Sequence, residues 1–115
     1  MSDAYDAFQE GRHRLRKGMT AQATVPLEKA KRLEPGKASI REALGIAYFR
    51  LRRWREAEAE FRVVLELSPT DHYAHYALAR TLEKQGRAAE ASGHYKLASF
   101  MSPASELYAN HVRAQ

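Results

Sequence analysis

The chain has 115 residues, enough for one domain with a modest core; 44% are hydrophobic and 29% charged. Its formal net charge is +5 and it has no cysteine, which excludes a disulfide framework, a thiol nucleophile and a cysteine-bound metal. No apolar run approaches the roughly 20 residues that cross a bilayer, and the opening MSDAYDAFQEGR has acids where a leader has an apolar stretch. A cytoplasmic protein without a membrane span is the expectation.

Pro35, Pro69 and Pro103 stand 34 residues apart, twice over. Aligned on them, one domain over 1–115 divides into units 4–37, 38–71 and 72–105, with 106–115 left over. The first unit is the basic end, holding eight Lys/Arg against four Asp/Glu, while the middle unit balances six against six. Such a bias favours acidic partners.

Each unit reads as two helices. In the first, Gly11, Ala23, Leu27, Ala30 and Pro35 fit the pattern, and Gly18 breaks the chain between the helices. Glu10 and Arg14 occupy places that are apolar or aromatic in the middle unit, and Pro26 falls inside the second helix. Proline removes a hydrogen bond and crowds the preceding turn, so that helix is predicted to kink or to start late.

The middle unit is clearest. Leu44 and Tyr48 share one helix face, Ala57, Phe61 and Val64 the next, and Pro69 closes. Gly45, with Ala43, Ala47 and Ala57, lets two helices approach closely. Trp54 opens the second helix and is expected to pack over the turn. The run from Arg55 to Arg62 permits pairs such as Glu58–Arg62 and reads as a solvated outer face.

In the third unit Leu78, Ala91, Tyr95, Ala98 and Pro103 repeat the pattern, Asp71 suits an N-cap, and Gly86 breaks the pair. Ser105 can cap a last helix over 106–113, with Leu107, Tyr108 and Val112 covering the third unit's apolar edge and Asn110 and Arg113 facing water.

The residues Leu44, Gly45, Tyr48, Ala57, Phe61 and Pro69 resemble the tetratricopeptide repeat signature W-x2-L-G-x2-Y…A-x3-F…P, with Arg41 in place of the Trp. The resemblance covers nearly the whole chain. It implies an all-α fold, a right-handed superhelical stack of helix–turn–helix repeats (an alpha-alpha superhelix) with three repeats and a capping helix over 106–115. It also implies a groove lined by the first helix of every unit. The groove positions carried over are Tyr5, Phe8, Arg12 and Arg16 from unit one. Unit two supplies Ser39, Glu42, Ile46, Phe49 and Arg50, and unit three Tyr73, Tyr76, Arg80, Glu83 and Lys84.

That mixture of aromatics and cations suits a peptide with acidic side chains: the rings offer contact area and arginine forks onto carboxylates. Phe8, Phe49 and Tyr76 have a second reading, as packing between adjacent first helices. Family members that clamp acidic chaperone tails use Lys, Asn and Arg at positions held here by Phe8, Arg12, Ala43, Tyr73 and Ala77. That clamp is absent.

No other chemistry has a signature. His72 and His75 share a spacing of three without a third ligand, and His13, His94 and His111 are scattered. Gly11, Gly18, Gly36, Gly45, Gly86 and Gly93 read as close-packing or turn positions rather than a phosphate loop. Neither catalytic, metal-binding nor cofactor-binding residues are identified, and no enzyme is expected. The expected function is a protein–protein interaction scaffold that holds a short acidic or amphipathic segment of a partner. The alternatives are self-association through Tyr5, Phe8 and Leu15, or single-stranded nucleic acid on Arg50, Arg52, Arg53 and Arg55. Glu56, Glu58 and Glu60 follow that cluster and oppose its field.

Overall fold

The computed structural model describes residues 2–114. They form α1 (Asp3–Arg16), α2 (Thr20–Leu33), α3 (Ala38–Arg50), α4 (Trp54–Leu67), α5 (His72–Lys84), α6 (Ala88–Met101) and α7 (Glu106–Arg113), with no strand among the described residues. The proline period reappears in the helix bounds. The second helices start at 20, 54 and 88, and the first helices of units two and three at 38 and 72, each 34 apart; α7 follows at 106.

Helices pack mainly on those before and after them in the chain, α1 on α2, α2 on α3 and so on to α7. The result is elongated, 44 × 24 × 21 Å, with a radius of gyration of 14.4 Å. A compact chain of this length has about 13 Å.

Three starts are capped by side chains, because the orphan N–H groups of a first turn need acceptors. Ser2 accepts from the Tyr5 amide at 3.1 Å, Asp71 from Ala74 at 3.0 Å and Ser105 from Tyr108 at 3.3 Å. Between paired helices the chain turns through a left-handed residue at 18, 52 and 86. Gly18 and Gly86 have φ of 77°, whereas the middle unit places Arg52 there with φ 60°.

The core runs along the stack. Leu27, Leu44, Phe61, Leu78, Leu82 and Tyr95 are fully buried, separated by the small residues Ala23, Ala57 and Ala91. A Cβ on Gly45 would stand 2.6 Å from the Phe61 ring, and one on Gly11 2.5 Å from Leu27. Both glycines therefore set how closely their helix pairs approach. Gly93 has open space around it in the middle of α6, so neither close packing nor a turn explains it.

Pro26 does not delay its helix. α2 runs from Thr20 to Leu33 with Pro26 buried at its seventh position. The Gln22 carbonyl, which proline cannot bond, accepts instead from Arg14 Nη1 at 3.0 Å, and Arg14 is steadied by Glu10. The two residues that depart from the repeat pattern are thus spent on the proline.

The acidic face of α4 is not simply solvated. Glu60 is 4% exposed, held by Lys31 Nζ at 2.8 Å and Arg41 Nη1 at 3.0 Å, a link between units one and two. Glu58 pairs with Arg62 at 2.8 Å as its spacing predicts, but also with Arg87 at 2.9 Å. Arg62 and Arg87 both reach Glu90, at 2.7 and 2.8 Å, closing a four-membered ring that ties α4 to α6.

At the far end α7 seats Tyr108 against Tyr76, ring centroids 5.0 Å apart, and Val112 packs on the core. Leu107 was expected inside and is 51% exposed. Its place in the register is that of Tyr73 and Ser39, on the open face of the first helices rather than the packed one.

Candidate functional site

The first helices α1, α3 and α5 present one face each, set by residues three or four apart. The 34-residue register lines these up in rows: Tyr5, Ser39 and Tyr73; Phe8, Glu42 and Tyr76; Arg12, Ile46 and Arg80; Arg16, Arg50 and Lys84. One row is therefore wholly cationic.

Two clefts open along this face. One, of about 260 Å³, lies between α3 and α5 and is lined by Ile46, Phe49, Arg50, Tyr73, Tyr76, Ala77 and Arg80, with Phe61 of α4 beneath. The other, of about 440 Å³, lies between α1 and α3 and is lined by Phe8, Arg12, Leu15, Arg16, Ser39, Glu42, Ala43, Ile46 and Arg50. Ile46 and Arg50 belong to both, so the clefts form one groove. Of the expected groove residues, Tyr5, Glu83 and Lys84 line neither cleft. Tyr5 sits on the first turn of α1 and is 52% exposed; Glu83 instead accepts from the buried Tyr95 hydroxyl at 3.0 Å. Leu15, Ala43, Phe61 and Ala77 were not anticipated as lining residues; Ala43 and Phe61 were read as helix packing and Leu15 as a self-association surface.

Three of the groove's cations are held by rings or backbone rather than by acids. The Arg12 guanidinium lies 5.4 Å from the centroid of Phe8 and that of Arg80 4.9 Å from Phe49. Arg50 Nη1 reaches the Leu15 carbonyl at 3.4 Å. Among the described residues none of Arg12, Arg16, Arg50 and Arg80 pairs with a carboxylate, whereas Arg14, Arg41, Arg53, Arg62, Arg87 and Arg113 all do. A guanidinium over a ring keeps its N–H edge available while its position is fixed.

Phe49 is wedged between Arg80 and the edge of Trp54, whose centroid is 5.0 Å away. Its ring is therefore part of the wall. Tyr76 faces the cleft and at the same time packs against Tyr95, Tyr108 and His111. Glu42 is the groove's one carboxyl, and burial, then the nearby Asp71, raise its pKa above the usual carboxylate value. Burial likewise raises Tyr73 and Tyr76. At the turn outside the groove, Arg53 pairs with Glu56 and lies 4.8 Å from the Tyr48 ring, so the basic cluster there is partly spent within the fold.

His72 meets the Tyr108 hydroxyl at 2.9 Å and His75 meets His94 at 3.0 Å. Among the described residues no group of three potential ligands gathers for a metal ion, and no helix is long and apolar enough to cross a membrane.

The tetratricopeptide repeat family profile matches residues 8–72 and again 42–106. No curated protein matches the chain. Among solved structures, the first TPR of Spaghetti (RPAP3) bound to HSP90 peptide SRMEEVD superposes with a TM-score of 0.92 at 19% identity, over 97% of this chain and 89% of that one. The MamA R50E mutant matches at 28% identity with a TM-score of 0.84, over 89% and 74%. YrrB, a TPR protein with an unusual peptide-binding site, matches at 19% identity with a TM-score of 0.90, over 100% of this chain and 59% of its own.

Proposed function

The chain belongs to the tetratricopeptide repeat family, and from that premise we propose that it is a protein-interaction module whose groove holds a short acidic or amphipathic segment of a partner protein. One observation carries the reading: the groove arginines Arg12, Arg50 and Arg80 are held by rings or backbone, and among the described residues neither they nor Arg16 make an ion pair, while six arginines elsewhere do. An unpaired, pre-positioned guanidinium favours an incoming carboxylate, because little side-chain entropy is left to lose.

The two clefts divide the task. The α3–α5 cleft, floored by Phe61 and walled by Tyr73 and Tyr76, suits a bulky apolar side chain. Arg50 and Arg80 flank it and suit acidic neighbours. One structural neighbour was solved with a bound peptide and another is described as having a peptide-binding site, which supports a peptide as the class of ligand. Self-association through Tyr5, Phe8 and Leu15 draws less support, since Phe8 and Leu15 are half-buried against the core.

The test is capture from a lysate of the source cells, followed by mass spectrometry, with wild type and an Arg12→Glu/Arg80→Glu variant whose helical content is checked by circular dichroism. Partners retained by wild type and lost by the folded variant support the groove. Identical partner sets reject it.

A further inference from the structure

One internal slot recurs in every repeat and is filled differently each time. Its two members stand at 7 and 26, 41 and 60, and 75 and 94, each offset by 34. Unit one fills it with the buried, apolar Ala7 and Pro26. Unit two uses Arg41 and Glu60: Arg41 Nε donates to the Pro35 carbonyl at 2.9 Å and Nη1 to Glu60 at 3.0 Å. Unit three reproduces both contacts with imidazoles. His75 Nε2 lies 3.0 Å from the Pro69 carbonyl, and its Nδ1 lies 3.0 Å from His94 Nδ1. The rings stack with centroids 5.3 Å apart, and His75 is 7% exposed.

Hydrogen-bond chemistry fixes the protons. A carbonyl only accepts, so His75 Nε2 carries a hydrogen, and neutral His75 offers a lone pair at Nδ1. His94 Nδ1 must then donate across the 3.0 Å gap. One proton can be added, at His94 Nε2, without disturbing either bond. A second would put two N–H groups head to head between two like charges. The facing charges do not relieve this. From α4 comes Arg62, another cation, already held by Glu58 and Glu90; on α6 itself stands Glu90, shared between Arg62 and Arg87.

We propose that His75 and His94 form an acid-labile clasp between α5 and α6, at the place where unit two has the Arg41–Glu60 ion pair. Above the ordinary imidazole range the clasp is closed. As pH falls the two imidazoles of His75 and His94 take two protons in the unfolded chain and at most one in the closed clasp, so acidification favours opening. His94 fits this role, its pKa lowered by burial first, then by His75 and Arg62, against the opposing effect of Glu90. α5 carries Tyr73, Tyr76 and Arg80 of the groove. Acid release of the bound segment is the functional consequence, and that clause alone rests on the proposed groove function.

The test compares urea unfolding of wild type and His94→Gln between pH 7.5 and 5.0. A glutamine amide can donate to neutral His75 or accept from its protonated form, so the variant keeps the bond and loses the conflict. Below about pH 6.5 the wild-type folding equilibrium constant should fall up to about tenfold per pH unit more steeply than the variant's, one proton's worth of linkage. Parallel pH dependences overturn the proposal. Nitrogen-15 NMR of the imidazoles in the wild-type chain serves if the variant does not fold. His75 as the Nε2–H tautomer and His94 as the Nδ1–H tautomer at pH 7.5, with fewer than two protons taken up together by pH 5, support the clasp. Two independent titrations near 6.5 sink it. Neither readout needs a ligand, so the clasp can fail while the groove stands, and the reverse.

Discussion

Arg14 donates to the main-chain oxygen of Gln22, the acceptor that Pro26 leaves without a helical partner. A cation on one helix thereby substitutes for an amide missing from the next.

Removing that cation tests the substitution. Arg14→Met is expected to cost about 1 kcal/mol, the net worth of one hydrogen bond, because water can reach the freed oxygen. In a Pro26→Ala background the amide is restored and the same change should cost less than half as much. A double-mutant cycle from urea midpoints gives the coupling; additive effects would contradict it.

Arg52 occupies the left-handed slot that glycine fills at 18 and 86. A Cβ in that conformation is strained, so Arg52→Gly should stabilise the fold by about 0.5–1 kcal/mol, while Gly18→Ala and Gly86→Ala should each cost about 1 kcal/mol. Chemical denaturation of the three variants shows the opposite signs.

Gly45 and Gly93 predict contrasting outcomes for one added methyl. At Gly45 it meets the Phe61 ring at 2.6 Å and should cost about 1–3 kcal/mol. At Gly93 nothing lies within 4 Å, and replacing a mid-helix glycine by alanine should gain about 0.5–1 kcal/mol. Phe61→Ala, which empties a fully buried site, should cost about 3–5 kcal/mol. Melting temperatures report all three.

Glu42 gives a pH signature in the groove. Its folded pKa is raised by burial and then by Asp71, so the neutral form is the one the fold prefers. The favourable contribution is complete below the unfolded carboxyl value near 4.3 and is lost as pH rises through the folded one. Glu42→Gln should therefore stabilise modestly at pH 7 and make no difference at pH 3.5, as unfolding at the two pH values will show.

Fold and repeat register were legible because period, turn glycines and small–large faces all agree: Leu44, Gly45 and Phe61 mean the same thing at every level. The rows on the first helices combine the 34-residue spacing with positions that the family resemblance implies, as Phe8, Glu42 and Tyr76 illustrate. What escaped were relations across repeats. Glu60 looks solvated within its own helix, and only Lys31 and Arg41, 29 and 19 residues away, draw it inward. Arg52 carries no mark of its backbone conformation. Arg14 read as a defect until Pro26 was seen to need it. Leu107 follows the repeat register, yet its row is the open one, so an apolar residue there does not turn in.

Because each coil leans chiefly on its immediate predecessor and successor, the molecule is joined in series, like links under tension. A pull applied at its two ends passes through every seam in turn, with side-chain braces between alternate helices, such as Lys31–Glu60 and the Glu58–Arg87–Glu90–Arg62 ring, taking part of the load. Extension in an optical trap should release the rod piecewise, one link yielding before the next.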